Sequence, residues 1–280
     1  MIPRTFYVAS ILSELEDGTK KFIEMPLNMF GKIINMVYDF LRINPTEGKY
    51  KDAWNAVSNL NKTFLVIGTT LITIFFLWGF CRDSIDIKQD MHMESIIKLL
   101  IRYVISVNLV TSFINYVPDL CGWAVSLVGA VDPSITFDSG KIAQGIIDNT
   151  NVVMGFIIAL LLFLICFACG AIMIFTCMGR FFNFYLLIPF SSIALSTFAG
   201  GGQMSQTGVN YLKNMLAVIF EIVAMAIALT IIGPFLQGSI ITKQTDYKTW
   251  FTLLEVIVKM ITVTACFKGA SATVRKAMNL

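Results

Sequence analysis

Two cysteines and one histidine are the residues whose types most directly suggest metal or redox chemistry. Cys166 and Cys169 have the spacing of half a metal motif or of a redox pair, and His92 is the only histidine. The cysteines lie inside an uncharged apolar stretch without a second pair, so we expect them to be small packing residues. His92 has no companion ligands nearby. The sequence therefore predicts no metal site and no cofactor.

Acid–base or nucleophilic catalysis would need ionisable partners at a recognisable spacing. His92 has neither an acid nor a nucleophile partner, and no apolar segment carries paired carboxylates. We therefore expect that the chain is not an enzyme.

Glu221 is a lone acidic residue within a long apolar segment. An ionisable residue at such a position is costly, which favours a cavity, a proton site or a subunit contact. The alternative is that Glu221 lies one or two turns from the membrane interface and reaches lipid headgroups or Lys213. The sequence leaves both interpretations open.

Two further sets of charged residues follow helical spacing. Glu94, Lys98 and Arg102 stand four residues apart and so share one helix face. The two bases either extend to the membrane interface or face a wet cavity or another subunit. Glu255 and Lys259 have the favourable acid-then-base order at four residues. These charges, with Glu221, are candidate lumen-facing or buried polar residues.

The elements that must position these residues are membrane helices. Hydrophobic residues make up 56% of the 280 residues, charged residues 14%, and the mean hydropathy is +0.74, which is too apolar for a soluble domain of this length. The net charge of +3 is too small to indicate nucleic-acid binding. No period-2 alternation supports a membrane barrel, so we predict an all-α, polytopic transmembrane bundle.

The central stretch is residues 152–199. No charged residue occurs from 152 to 179, Arg180 interrupts the run, and 181–199 is again uncharged. Each piece is long enough to cross a bilayer, which predicts a helical hairpin that turns near residues 178–180. Residues 63–80, 95–117 and 214–236 would provide three more spans. Residues 250–267 either span the membrane or lie flat on it, which gives five spans, with six as the alternative. The segment around 118–135 is too short to span and is predicted to be interfacial or re-entrant.

The chain before the first span forms a separate region, residues 1–62, ahead of a membrane core at 63–237 and a C-terminal helix with a basic tail at 238–280. Within it, residues 22–43 predict an amphipathic helix, whose polar side carries Asn28, Lys32, Asn35, Asp39 and Arg42. We expect this helix to lie in the membrane interface or against a partner. The alternative is a surface helix of a small soluble cap.

Small residues and one proline predict how the spans pack. Gly155 and Ala159 have small-xxx-small spacing, and Gly170 lies in a later patch of small residues. Pro189 should kink its helix, and the serines that follow it could bond the carbonyls this frees. Gly200 and Gly201 predict a flexible turn.

Basic residues suggest an orientation in the cell membrane. The positive-inside rule is satisfied if the cytoplasmic side carries Arg82, Lys88, Arg180, Lys243 and Lys248. The loops 118–150 and 200–213 are then outside, and so is the N terminus. The eight bases of residues 1–62 conflict with this assignment.

Two stretches carry a resemblance to a known family. The first is Asn44-Pro45-Thr46-x-Gly48-x-Tyr50-x-x-Ala53-Trp54; the second runs from Gly179 to Gly201 and reads GRFFNFYLLIPFSSIALSTFAGG. The residues that follow, Gln206 to Lys213 (QTGVNYLK), also fit that family. Together they resemble the TrbL-like family of polytopic inner-membrane subunits of type IV secretion and conjugation systems, in the form found in Gram-positive mobile elements. The resemblance covers about residues 30–240.

The resemblance implies a structural and conduit subunit that helps pass single-stranded DNA with its bound relaxase. Such subunits assemble as several copies and work with cytoplasmic ATPases and extracytoplasmic assembly proteins. We therefore expect a homo-oligomer, such as a ring, in the lipid bilayer. Its helix-packing or oligomer contacts would involve Gly155, Ala159, Gly170, Arg180, Pro189, Gly200 and Gly201.

Two alternatives to this function remain. A secondary transporter or small-solute channel would show internal repeats with matched broken helices, and the sequence shows no repeat. A membrane scaffold without a lumen is equally compatible with the sequence.

Overall fold

The computed structural model describes residues 4–86, 93–131, 139–147, 151–237 and 248–280. Within these ranges the chain contains no β-strand, so the predicted all-α class is confirmed. The helices are α1 (Arg4–Leu41), α2 (Lys51–Asp86), α3 (Met93–Gly129), α4 (Ser139–Ile147), α5 (Val152–Ser196), α6 (Gly202–Gln237) and α7 (Lys248–Ala277). Short 3-10 helices occupy Gly48–Tyr50 and Thr197–Gly200.

Five of these helices, α2, α3, α5, α6 and α7, are long and apolar enough to cross a membrane. The chain is therefore a multi-pass membrane protein, and the predicted number of five spans is confirmed. The segments that supply these spans differ from the prediction. Residues 152–199 supply one span, whereas the sequence predicted two. The segment that was left open, at 250–267, lies in α7 and supplies the fifth.

The predicted hairpin turn near residues 178–180 is wrong. Helix α5 runs without a break through Gly179 and Arg180. A single glycine keeps helical backbone angles when the surrounding residues favour a helix, and a single buried charge does not remove any backbone hydrogen bond. The chain turns instead at Gly201 and Gly202, whose φ values of 60° and 53° lie in the left-handed region.

The prediction of a separate interfacial or re-entrant segment at 118–135 is also wrong for residues 118–129. Pro118 lies inside α3, which continues to Gly129. A proline within a membrane helix is tolerated where neighbouring groups satisfy the freed carbonyl.

The orientation inferred from the basic residues depended on the predicted hairpin, and the side of the N terminus stays a prediction. A helix that crosses the membrane once places its two ends on opposite sides. The loops before and after α5 therefore cannot both be outside if α5 is a single span. Lys88, His92 and Lys243, which entered the sequence interpretation, lie outside the described residues.

The chain forms two compact units, and the first comprises Met1–Leu41, Ala130–Cys177 and Met225–Ala270. In this unit the amphipathic nature of α1 is confirmed. The side chains on its apolar face are at most 1% exposed at Ile23, Leu27, Phe30, Ile34, Val37 and Leu41. The chain's own α4 and α5 both contact α1. That α1 also lies in the membrane interface or against a partner stays a prediction.

The contacts between α1 and α5 are close, and the two helices run parallel to each other. Phe22 stacks on Phe156 with ring centroids 4.9 Å apart, and the Cys166 thiol donates to the carbonyl of Pro26 over 3.2 Å. A Cβ on Gly155 would come within 2.8 Å of Thr19. The predicted stripe of small residues thus allows α1 to approach the α5 backbone.

The second unit comprises Arg42–Gly129, Met178–Ala224 and Ser271–Leu280. One face of α2 meets the C-terminal part of α5 at very short distances. A Cβ on Gly68 would lie 2.8 Å from the Ser192 backbone, and one on Gly79 would lie 2.8 Å from the carbonyl oxygen of Gly200. These glycines let the two backbones touch directly, so larger residues there would separate the helices.

Replacement of Gly170 by leucine tests the contact between α1 and α5. A Cβ at Gly170 meets Ile33 at 2.6 Å, so the leucine should overpack this contact and lower stability by about 1–3 kcal/mol. Thermal unfolding in detergent would measure the change. Gly269→Leu is the control, because a Cβ there meets no atom within 4 Å. Equal effects at both positions would contradict the packing.

Candidate functional site

The two stretches that carry the family resemblance meet in the second unit. Tyr50 contacts Phe181 with ring centroids 5.5 Å apart, and Trp54 stacks on Phe184 at 6.3 Å. The 3-10 turn Gly48–Tyr50 and the start of α2 present these rings to α5. Aromatic pairs at such distances stabilise beyond the area they bury.

A hydrogen bond joins the same two stretches. The Tyr185 hydroxyl donates to the carbonyl of Pro45 over 2.7 Å. The Asn44 side chain accepts from both the N–H and the hydroxyl of Thr46, at 3.0 and 2.8 Å, which fixes the turn that presents Pro45. We call Asn44, Pro45, Tyr50, Trp54, Phe181, Phe184 and Tyr185 the signature cluster. The sequence identified both stretches but did not predict that they touch.

Asn61 is a functional candidate that the sequence analysis missed. It is 3% exposed, and its amide donates to the carbonyl of Ile188 at 2.9 Å and to the Ser191 hydroxyl at 2.8 Å. Pro189 lacks an N–H, which frees the carbonyl of Tyr185 one turn earlier in α5. Asn61 from α2 adds a donor to the carbonyl of Ile188, directly before the proline. That the serines satisfy the freed carbonyl stays a prediction. Asn61 lies seven residues before Gly68 and therefore on the same face of α2. This spacing is the sequence signal that could have identified Asn61.

The turn between α5 and α6 is surrounded by arginines. A Cβ on Gly201 would collide with the Arg102 guanidinium, and one on Gly202 would lie 2.5 Å from Nη1 of Arg82. Arg102 therefore packs against this turn within its own unit, while Lys98 on the same helix is exposed. Gly200 and Gly201 are buried, so the predicted turn exists but is enclosed by side chains.

Glu221 has partners and is not the lone acid that the sequence suggested. Its carboxylate accepts from Arg275 Nε at 3.0 Å and from the Ser271 hydroxyl at 2.8 Å. The Glu221 side chain is 3% exposed and that of Arg275 is 42% exposed. The end of α7 thus neutralises a buried charge on α6. Neither the headgroup nor the Lys213 interpretation describes this arrangement.

The predicted pair of Glu255 and Lys259 is confirmed as a contact, with 2.8 Å between Nζ and Oε1. The two side chains are 15% and 9% exposed, so they lie inside the first unit. Lys259 also donates to the carbonyl of Leu236 at 3.2 Å. Leu236 lies in the last turn of α6, where carbonyls lack partners within the helix. The sequence left open whether these charges face a lumen or are buried. For Glu255 and Lys259, a buried polar contact fits the structure.

Arg180 is buried in the middle of α5, at 6% exposure, and does not occupy the predicted turn. Its guanidinium lies 4.9 Å from the centroid of the Phe181 ring. Cys121 and Pro45 border the same small pocket. Arg180 therefore adjoins the signature cluster.

The small residues of α5 act within the chain. Ala159 is fully buried in the first unit, and Gly155 and Gly170 face Thr19 and Ile33 of α1. Helix packing by these residues is therefore intramolecular here. A role in contacts between copies of the chain stays a prediction.

No cluster suited to metal binding occurs among the described residues, where no three histidine, cysteine or acidic side chains come together. Cys166 and Cys169 are both buried between helices. Their surroundings suit packing.

Comparisons with family models, with curated proteins and with solved structures gave no match for this chain. The resemblance to the TrbL-like family therefore rests on the sequence motifs alone.

Replacement of Asn61 by leucine should destabilise the protein. The change removes the donor to Ile188 and leaves buried polar groups unsatisfied, which costs about 1–3 kcal/mol. Asn59→Leu is the matched control, because Asn59 is exposed and only bonds Lys62 on the same helix. Thermal unfolding of both variants in one detergent measures the difference. If Asn61→Leu unfolds like Asn59→Leu, the amide has no such role.

A double-mutant cycle tests the Glu221–Arg275 pair. Arg275→Leu leaves a buried carboxylate without its cation and should cost on the order of 3 kcal/mol. Glu221→Gln should cost less, because it removes the buried charge. The combined variant should be more stable than Arg275→Leu alone, and Lys276→Leu, at an exposed neighbour, should have little effect. Strict additivity of the two changes would contradict the contact.

Proposed function

We propose that this chain is a membrane-embedded structural and conduit subunit of a conjugative type IV secretion system, similar to the TrbL-like family. The observation that carries the proposal is the signature cluster. The two stretches that resemble the family are more than 100 residues apart, and yet their aromatic rings stack and Tyr185 bonds Pro45. Two motifs that pack against each other support the family resemblance more strongly than two apolar motifs that do not touch.

The membrane setting supports the same proposal. Large apolar side chains project from the candidate spans, with exposures of 75% at Phe175, 74% at Val153 and 69% at Val66. Surfaces of this kind suit lipid or neighbouring membrane helices. In the proposed role several copies assemble in the cell membrane with cytoplasmic ATPases and extracytoplasmic assembly proteins. The substrate would be single-stranded DNA with its bound relaxase.

The buried charges give less support to the transporter alternative. Glu221 is neutralised by Arg275, and Lys259 is held by Glu255 and Leu236. A solute site near the middle of a transporter presents its polar groups to the solute. These groups instead bind one another, as expected if they join helices.

Deletion of the gene in a cell that carries a conjugative element tests the proposal. We expect element transfer to be lost and to return when the wild-type chain is supplied. Trp54→Ala should restore transfer less well than Trp78→Ala, because Trp54 stacks in the signature cluster whereas Trp78 is 60% exposed. Mating assays give the transfer frequency, with immunoblots of the membrane fraction to check protein amounts. Undiminished transfer without the gene would contradict the proposal.

A further inference from the structure

One side of α1 carries a continuous row of polar residues. Successive members are three or four positions apart, so they share one helix face. We call them the α1 polar stripe: Asp17, Lys21, Glu24, Asn28, Lys32, Asn35 and Asp39. All are exposed except Glu24, which is half-buried.

The opposite face of α1 fixes where the stripe lies along α5. Thr19 is beside Gly155, and Ile33 is beside Gly170. Residues 19–33 of α1 therefore run next to residues 155–170 of α5. Both segments cover about 22 Å along the helix axis.

This part of α5 has the properties of a lipid-facing helix. It lies within the candidate span Val152–Gly200, and no charged residue occurs from 152 to 179. Its outward side chains are apolar and well exposed, with values of 61% at Leu160, 67% at Leu164 and 60% at Phe167. A helix surface of this kind is stable in the hydrocarbon core of a bilayer.

Where this segment of α5 crosses the hydrocarbon core, the α1 polar stripe lies at the same depth, although α1 is not itself one of the candidate spans. Charged side chains at this depth face the interior of a bundle or a water-filled cavity, because acyl chains offer them no hydrogen bonds. Long lysines near helix ends can reach the interface, but the asparagine and acidic side chains of the stripe are too short to do so.

We propose that the α1 polar stripe lines a water-filled passage through the membrane. The inference rests on the proposed function and deepens it, because it favours a conduit over a scaffold without a lumen. The stripe holds three acids and two lysines, so positive and negative charges alternate along it. Such a wall holds water without binding a polyanion tightly.

Cysteine labelling tests whether the α1 polar stripe lines a water-filled passage. It is done on opened membrane fragments, so that the probe reaches both faces of the membrane. The parent chain carries Cys81→Ser and Cys266→Ser, which removes the exposed cysteines of the described residues. Asn28→Cys and Asn35→Cys report on the stripe, and Leu164→Cys is the matched control beside them on α5. The probe is a permanently charged methanethiosulfonate, which reacts with thiolates in water and is excluded from hydrocarbon.

We expect the two stripe cysteines to react on the order of 100-fold faster than Leu164→Cys, in line with the penalty for charge in the bilayer centre. Slow labelling at both stripe positions would overturn the passage. Rapid disulfide crosslinking between copies at these positions, when an oxidant is added in place of the probe, would replace it with a subunit contact. Rapid labelling of Leu164→Cys would also overturn it, because α5 would then lie outside the hydrocarbon. The proposed function fails separately, in the mating assay, whatever the labelling rates are.

Discussion

Hydrocarbon offers no hydrogen bonds, so every polar group that this chain carries into the membrane must find its partner within the protein or in water. The described structure satisfies this constraint at several places by contacts between helices. Arg275 neutralises Glu221, and Lys259 is shared between Glu255 and a terminal carbonyl of α6. Loss of Arg275 or of Glu255 is costly because it leaves the buried charge of Glu221 or of Lys259 without its partner. These contacts therefore fix which helices lie side by side.

Close backbone approach is the second requirement, and glycine makes it possible. Gly68 and Gly79 bring α2 against α5 and the turn that follows it, at distances that no side chain would allow. Asn61 lies on the same face of α2 and bonds the backbone next to Pro189. The combination explains how a proline-containing helix remains packed along its length. It also positions the rings of the signature cluster.

The amphipathic helix α1 is governed by the same constraint. Its apolar face is buried within the first unit, and most of its polar face is exposed. In a soluble protein such a face would need no explanation. Beside a segment of α5 whose exposed side chains suit lipid, a polar face suits water, which is why the arrangement of α1 bears on the proposed passage.

Much of the local structure followed from the sequence. Apolar runs long enough to cross a bilayer predicted the all-α membrane class, and the spacing of Asn28, Lys32 and Asn35 predicted the amphipathic α1. Helical periodicity placed Glu255 four residues before Lys259, and they do form a pair. The hairpin at 178–180 was wrong because a glycine beside an arginine can either turn or continue a helix. Local preference there is too weak to decide.

The sequence by itself determined that helices form, which of them suit a membrane and which residues are too polar for lipid. Those properties depend on spacing along one helix and on transfer free energies, which are local. Only the tertiary structure decided that Glu221 meets Arg275, that Asn61 bonds the Pro189 region and that α1 covers α5. These partners are 54 or more residues apart. Many helix faces of similar polarity compete for each contact, so three-dimensional packing selects among them.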